Sequence, residues 1–413
     1  MEPSLHQSLP PELQIMSFQL RLMKLIGIVG PKGRMYRFYL AFGWATFVIV
    51  FSKSVLGFGS TRFDAITKGL SELLFEGNLI IVFAALVLKL PQFTRMMHLL
   101  SEFIRQVTHD GDQSKECYDL IRKQNSKMKQ FTKFYFIYCC FGPLVFCIPA
   151  MATSYVRYFS TNTTTDSNES EQLEFELPME QEFYGLNIRT NFAHYHLFVV
   201  LSLPAYYVCA YMSVIKVTTL LMMIKYSSLT YRLVAIRVRK LAQFTTPQQQ
   251  DQAAEHKEVK LASIEKIVQL HEKAFQITDL VENILSIPVA IQFVVCILFW
   301  CLTMFYVSAN INFNLLNVMV VFLLSLIETY GYAYLGSQLT AEAQAVGQAV
   351  YELTWYEDSA ELQRYYRLII QRSQRETGIT AAKFFVVGIE KFGKVVNLSY
   401  TYYLVLKDVL NRL

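Results

Sequence analysis

Apolar runs about as long as a bilayer is thick, alternating with stretches crowded by lysine and arginine, constrain this chain more than any other feature of its sequence. A spanning helix needs about 20 mostly apolar residues, because backbone N–H and C=O groups in hydrocarbon must be satisfied within the segment. Seven stretches meet that standard: 36–56, 69–88, 131–155, 194–222, 286–309, 312–335 and, less cleanly, 381–410. Composition agrees, since 53% hydrophobic and 17% charged residues depart from the roughly 45–50% and 25% of soluble domains. The expected fold is all-α, a polytopic protein with seven transmembrane helices and the lipid bilayer as its solvent.

Orientation follows from the loops, because cytoplasmic loops hold an excess of Lys and Arg. The N-terminal segment carries Arg21, Lys24, Lys32, Arg34 and Arg37. The loops after the second and fourth spans are equally basic, with Lys115, Arg122, Lys123, Lys127, Lys129 and Lys133 in one and Arg232, Arg237, Arg239, Lys240 and Lys260 in the other. The loop at 156–193 is instead acidic and holds the sequons Asn162-Thr163-Thr164 and Asn168-Glu169-Ser170, a pattern of exposed luminal glycosylation. The N-terminus is expected in the cytosol and the C-terminus outside. This is the reverse of a rhodopsin-like receptor, whose Asp-Arg-Tyr and Asn-Pro-x-x-Tyr patterns are also missing.

Residues 1–35 form a cytosolic segment without a secretory signal. Within it, 12–28 can make an amphipathic helix lying on the membrane or packed on protein. Spans one to four occupy 36–226 and spans five and six occupy 286–335. The intervening 227–285 has helical spacing of Leu261, Ile264, Val268, His271 and Phe275, with a break only at 243–252, so the fourth and fifth spans continue below the membrane as paired helices. Residues 336–394 make a second cytoplasmic helical region, an anchor suited to assembly.

The last span divides in two. Lys383, Glu390, Lys391 and Lys394 make its first half too polar for hydrocarbon, and Gly388 and Gly393 are points where a helix can break. Residues 395–410 alone reach lipid depth, about 24 Å at 1.5 Å per residue, so 395–413 suits a protein-lined pore better than a lipid face. Among isolated polar residues in spans, Glu72, Glu76, Lys216 and Glu328 could pair, line a cavity or snorkel.

Nothing points to catalysis: there is no nucleophile elbow, phosphate loop or metal-ligand cluster, and His194 and His196, two apart, face different sides of a helix. No cofactor or metal is expected. The net charge of +5 falls in blocks between apolar runs and does not imply nucleic acid. A transporter would show paired internal repeats with broken helices, and none is detected.

The run Thr377-Gly378-Ile379-Thr380-Ala381-Ala382-Lys383-Phe384, then Phe392 and Ser399-Tyr400-Thr401-Tyr402-Tyr403-Leu404-Val405-Leu406, resembles the C-terminal signature of insect odorant receptors. Gly336-Ser337-Gln338-Leu339-Thr340 and Val350-Tyr351-Glu352-Leu353-Thr354-Trp355-Tyr356 are also similar to that family. Thr377 departs from a proline found in many members. The resemblance implies a tuning subunit that assembles with a shared odorant co-receptor into a heterotetrameric channel in the plasma membrane of olfactory neurons. Volatile binding would open it to cations. The nearest alternatives are a gustatory-type receptor, expected to end in a Thr-Tyr-aliphatic-Gln-Phe motif that Thr401-Tyr402-Tyr403-Leu404-Val405-Leu406 lacks, and the co-receptor itself, which carries a longer insertion after its fourth span than 226–286 allows.

By the same resemblance, Val405 matches the aliphatic gate, Val409 a second aliphatic position one turn outward, and Asp408 the polar position beside it; plain helix packing is the alternative for both valines. The odorant pocket would lie among the outer halves of spans two, three, four and six. Candidates are Phe75 and Asn78; Phe146, Met151 and Tyr155; Tyr195, Phe198, Ser202 and Tyr206; and Met319 and Phe322. An aromatic and methionine lining suits small volatiles held by shape and dispersion. Each candidate is either a ligand contact or simple core.

Overall fold

The computed structural model describes residues 9–29, 38, 41, 45, 63–108, 115–163, 174–177, 185–243, 251–309 and 314–412. Its helices are α1 (Ser17–Leu25), α2 (Phe63–Leu88), α3 (Leu90–Thr108), α4 (Lys115–Thr163), α5 (Phe192–Lys240), α6 (Asp251–Ala309), α7 (Asn314–Tyr351), α8 (Ala360–Ser373) and α9 (Ile389–Arg412). Among the described residues, α2, α4, α5, α6 and α7 are long and apolar enough to cross a membrane. The expected first span at 36–56 lies outside the described residues except at positions 38, 41 and 45.

Length alone shows that these helices continue beyond the bilayer. The 59 residues of α6 rise about 88 Å, nearly three times a hydrocarbon core of roughly 30 Å. The 49 residues of α5 rise about 74 Å. Their polar ends, next to the basic stretches, therefore form a helical body outside the hydrocarbon. On α4, Phe134, Ile137, Phe141, Val145 and Ile148 are exposed at intervals of three or four, an apolar stripe suited to hydrocarbon.

Burial is concentrated toward the C-terminal half of α5. From residue 214 to 235 on α5, only Lys225 and Arg232 escape burial, because α5 is packed by α1, α2, α4, α6 and α7. The N-terminal helix is shorter than the 12–28 expected from its periodicity, and it is packed on protein. Its Gln19 amide donates to Thr219 Oγ1 at 2.6 Å and accepts from Thr218 Oγ1 at 2.7 Å, inside the core. Below the membrane, α8 is clamped by Asp358, whose carboxylate accepts from Lys260 Nζ at 2.6 Å and from Tyr366 OH at 2.9 Å.

Residues 381–388, read above as the polar first half of the last span, are not helical. A two-stranded hairpin pairs Thr380 with Val386 and Ala381 with Phe385. Its turn is closed by Phe384 N–H donating to Ala381 O at 3.0 Å, with both central residues, Ala382 and Lys383, at positive φ. The hairpin is tied to α6: Glu282 accepts from the Thr380 N–H at 2.7 Å and from its hydroxyl, while Ala382 N–H donates to Ser286 O at 3.0 Å. Helix α9 starts directly after Gly388, and Gly393 lies within it.

Candidate ligand pocket and pore helix

The outer ends of α4 and α5 hold an aromatic cluster. Tyr195 is fully buried and stacks on Phe175 at 5.0 Å between centroids, with Tyr155 edge-on at 5.9 Å. Phe192 lies face to face with Tyr158 at 3.7 Å. Phe175 belongs to the acidic loop, whose 174–177 segment crosses this end of the two helices. The segment is fixed by Ser154 Oγ accepting from Glu176 N–H at 2.9 Å and by an Arg157–Glu176 ion pair at 3.3 Å. Polar handles face the cluster: Tyr155 OH lies 2.7 Å from His196 Nδ1, and Tyr195 OH donates to Glu176 O at 3.3 Å.

Of the residues singled out in the sequence, Met151, Tyr155, Tyr195 and Phe198 meet in this cluster, and Met151 also touches Tyr206 beside Cys147. Ser202 is in the same region, but its hydroxyl is returned to Phe198 O at 2.7 Å. The Phe146 side chain lies outside the described set. Phe75, Asn78 and Phe322 are instead gathered by α6, a helix the sequence reading did not assign to the pocket. Phe75 packs on Phe299 at 5.9 Å and Phe322 on Trp300 at 6.3 Å, while Met319 is half-buried. Phe175 and Phe192 were missed, although an apolar pair, Phe175 and Leu177, inside an acidic loop marks a segment with a buried face.

Beneath the aromatic layer runs a buried polar network. Lys216 Nζ lies 2.7 Å from Glu328 Oε1 and donates to Gln292 Oε1 at 3.2 Å. Glu328 also accepts from Tyr332 OH at 2.7 Å. Gln292 accepts from Asn78 Nδ2 at 2.6 Å and donates to Thr329 Oγ1 at 3.1 Å. A lysine can only donate, so the oxygen of Gln292 must face Lys216, and Asn78 must offer its N–H. The network joins α2, α5, α6 and α7 where loose polar groups would be costly.

Above the hairpin, Phe392 on α9 is held edge-on by Tyr330 at 5.5 Å and Trp300 at 6.1 Å. The foot of α9 therefore rests on Trp300, the same α6 side chain that contacts Phe322. Farther along, Leu398, Tyr402, Val405 and Val409 are all exposed, Val405 at 56%. Their spacing of four, three and four puts them on one face of α9, whose outer half is exposed at Tyr400, Thr401, Leu404 and Lys407 as well. Asp408 is exposed beside that face. Asn162 is in the last turn of α4 with its side chain outside the described set, and Asn168 lies outside the described residues.

The geometry has counterparts. A sequence model described as 7tm Odorant receptor matches residues 63–400. The putative odorant receptor 92a of Drosophila melanogaster is 24% identical over 144 residues, 35% of each chain, so the alignment spans about a third of that relative's length. The odorant receptor coreceptor of Harpegnathos saltator is 33% identical over 85 residues, 20% of this chain and 18% of that one. Among solved structures, the olfactory receptor OR5 of Machilis hrabei superposes with a TM-score of 0.73 at 14% identity, covering 92% of this chain and 90% of that one. Its complex with eugenol gives a TM-score of 0.70 at 14% identity over 97% and 100% of the two chains. With a family match over most of its length and the same all-α membrane architecture, the chain belongs to the 7tm odorant receptor family.

Proposed function

We propose that this chain is the odour-tuning subunit of a ligand-gated cation channel, assembled with the odorant co-receptor in the plasma membrane of olfactory neurons, and that it is not an enzyme. The observation that carries this reading is the exposed face of α9. Leu398, Tyr402, Val405 and Val409 are exposed along one face of α9, and an aliphatic ring of such residues around a shared axis forms a gate that closes by dewetting. Odorant binds among the aromatic and methionine side chains of α4 and α5, where dispersion dominates. The related OR5 in complex with eugenol supports a small volatile as the ligand class. The coreceptor relatives support an assembly of similar subunits.

The test is co-expression with the odorant co-receptor in cells lacking other chemoreceptors, with currents recorded in the absence of GTP while volatiles are applied. Odour-evoked cation currents are expected. Currents that never appear, or that require a G protein, would overturn the proposal.

A further inference from the structure

A cavity of 340 Å³ opens on the cytoplasmic side between the segment that leads into α1, helix α4 and helix α5. Its volume is within the range of ligand sites, about 300–1,000 Å³. Gln14, Ser17, Phe18, Ser126 and Lys129 line it, and Tyr226 closes its floor by donating to Asn125 Oδ1 at 2.8 Å.

The cavity sits at headgroup depth. Phe18 packs edge-on against Phe136 at 6.4 Å, and Phe136 against Tyr211 at 6.2 Å, both on the membrane-embedded parts of their helices. Tyr211 OH donates to Leu22 O at 2.9 Å, so the C-terminal part of α1 is held at the inner edge of the hydrocarbon. Helix α4 passes the cavity at Lys129 and presents exposed Phe131 and Phe134 within the next two turns.

Charge gives the cavity its preference. The acid at its wall, Glu12, is already engaged by Arg122 at 3.2 Å and by Tyr118 OH at 2.9 Å. Lys123, Lys127, Lys129 and Lys133 on α4 are exposed, and none makes an ion pair with another described residue. Arg21 and Lys24 are exposed on α1. With Glu12 and Arg122 paired to each other, the charge left at the cavity's own lining is that of Lys129, which favours an anionic occupant. A phosphomonoester brings nearly two negative charges and three acceptor oxygens, which match the ammonium, hydroxyl and amide donors at the wall. The cytoplasmic leaflet is also the anionic one.

We propose that this cavity binds the phosphorylated headgroup of an anionic inner-leaflet lipid of the phosphoinositide class, with Lys129 of its wall as the principal cation and Lys133, one turn farther along α4, as the next. The proposal rests on the membrane orientation of the chain and not on odour gating, and its test reads no current.

The full-length protein is reconstituted in phosphatidylcholine nanodiscs, and binding of fluorescent phosphatidylinositol bisphosphate is measured against phosphatidylserine at equal charge density. Binding is expected for the bisphosphate and not for the serine lipid. Combined Lys129→Gln and Lys133→Gln is expected to weaken it about 30-fold, from roughly one factor of five per basic residue near an anionic surface. Lys129→Arg should retain most of it. Arg364→Gln with Arg367→Gln, which removes two exposed cations from α8, should leave it unchanged. Equal loss in the α4 and α8 variants, equal binding of phosphatidylserine, or no binding at all would overturn the site. Free inositol trisphosphate binding as tightly as the lipid would overturn the lipid as its occupant. A monodisperse elution profile for each variant separates lost binding from lost folding.

Discussion

Lys216 on α5 and Glu328 on α7 form an ion pair of 2.7 Å with both side chains at least nine-tenths buried, 112 positions apart in the sequence and inside the membrane-embedded part of the fold. Removing one partner leaves a buried charge uncompensated, at a cost of about 3–5 kcal/mol. Lys216→Met and Glu328→Gln are each expected to lower the melting temperature of the detergent-solubilised protein strongly. The double variant should lose less than the sum of the two, because neither orphan charge then remains. Fully additive losses, read by fluorescence-detected size exclusion after heating, would argue that the pair is not coupled.

Val405 is exposed on the apolar stripe of α9, and shortening it widens any ring that it forms. Val405→Ala is expected to raise the odour-independent current of the co-expressed channel. Leu404→Ala, off the stripe at an equally apolar position, should raise it less. Baseline, activation and permeation all unchanged in Val405→Ala would remove it from the pore.

Gly336 carries a packing constraint rather than a turn. A Cβ built there would collide with the carbonyl oxygen of Val387, at the end of the hairpin strand. Because the neighbour is backbone, the hairpin or α7 must move, and Gly336→Ala is expected to destabilise the protein by about 1–3 kcal/mol. Gly142→Ala, where nothing lies within 4 Å, serves as the control. A melting temperature for Gly336→Ala equal to that of the control would show that the contact is soft.

His271, on the cytoplasmic part of α6, is pushed down to about 4 by burial and, secondarily, by the Arg372 guanidinium. A folded pKa below the unfolded value near 6.5 means that the unfolded chain takes up protons first. The stabilisation is complete above about pH 6.5 and is lost as the pH falls toward 4, amounting to roughly 3 kcal/mol at the acid end. His271→Gln is expected to flatten this acid limb of the melting temperature. An acid limb of unchanged slope in the variant would assign the loss to other groups.

Membership of the membrane class and the helical continuation of α5 and α6 beyond the length of a span were legible in the sequence. Hydrocarbon selects on composition within one segment, and the loop charges needed no partner to be read. Gly388 was legible as a break for the same local reason. The hairpin before it was not, since Ala382 and Lys383 are ordinary residues at positive φ and what holds them there is Glu282, about a hundred positions away. The aromatic candidates could be named but not grouped. Whether Phe75 and Phe322 faced the α4–α5 cluster or Phe299 and Trp300 on α6 depended on helix rotation and crossing, which side-chain packing sets. The sequence by itself determined which segments must leave water, because the cost of burying polar backbone and charge is paid locally. Only the tertiary structure decided which buried groups meet, because Lys216 is tolerable inside the membrane only where packing brings Glu328 and Gln292 to it.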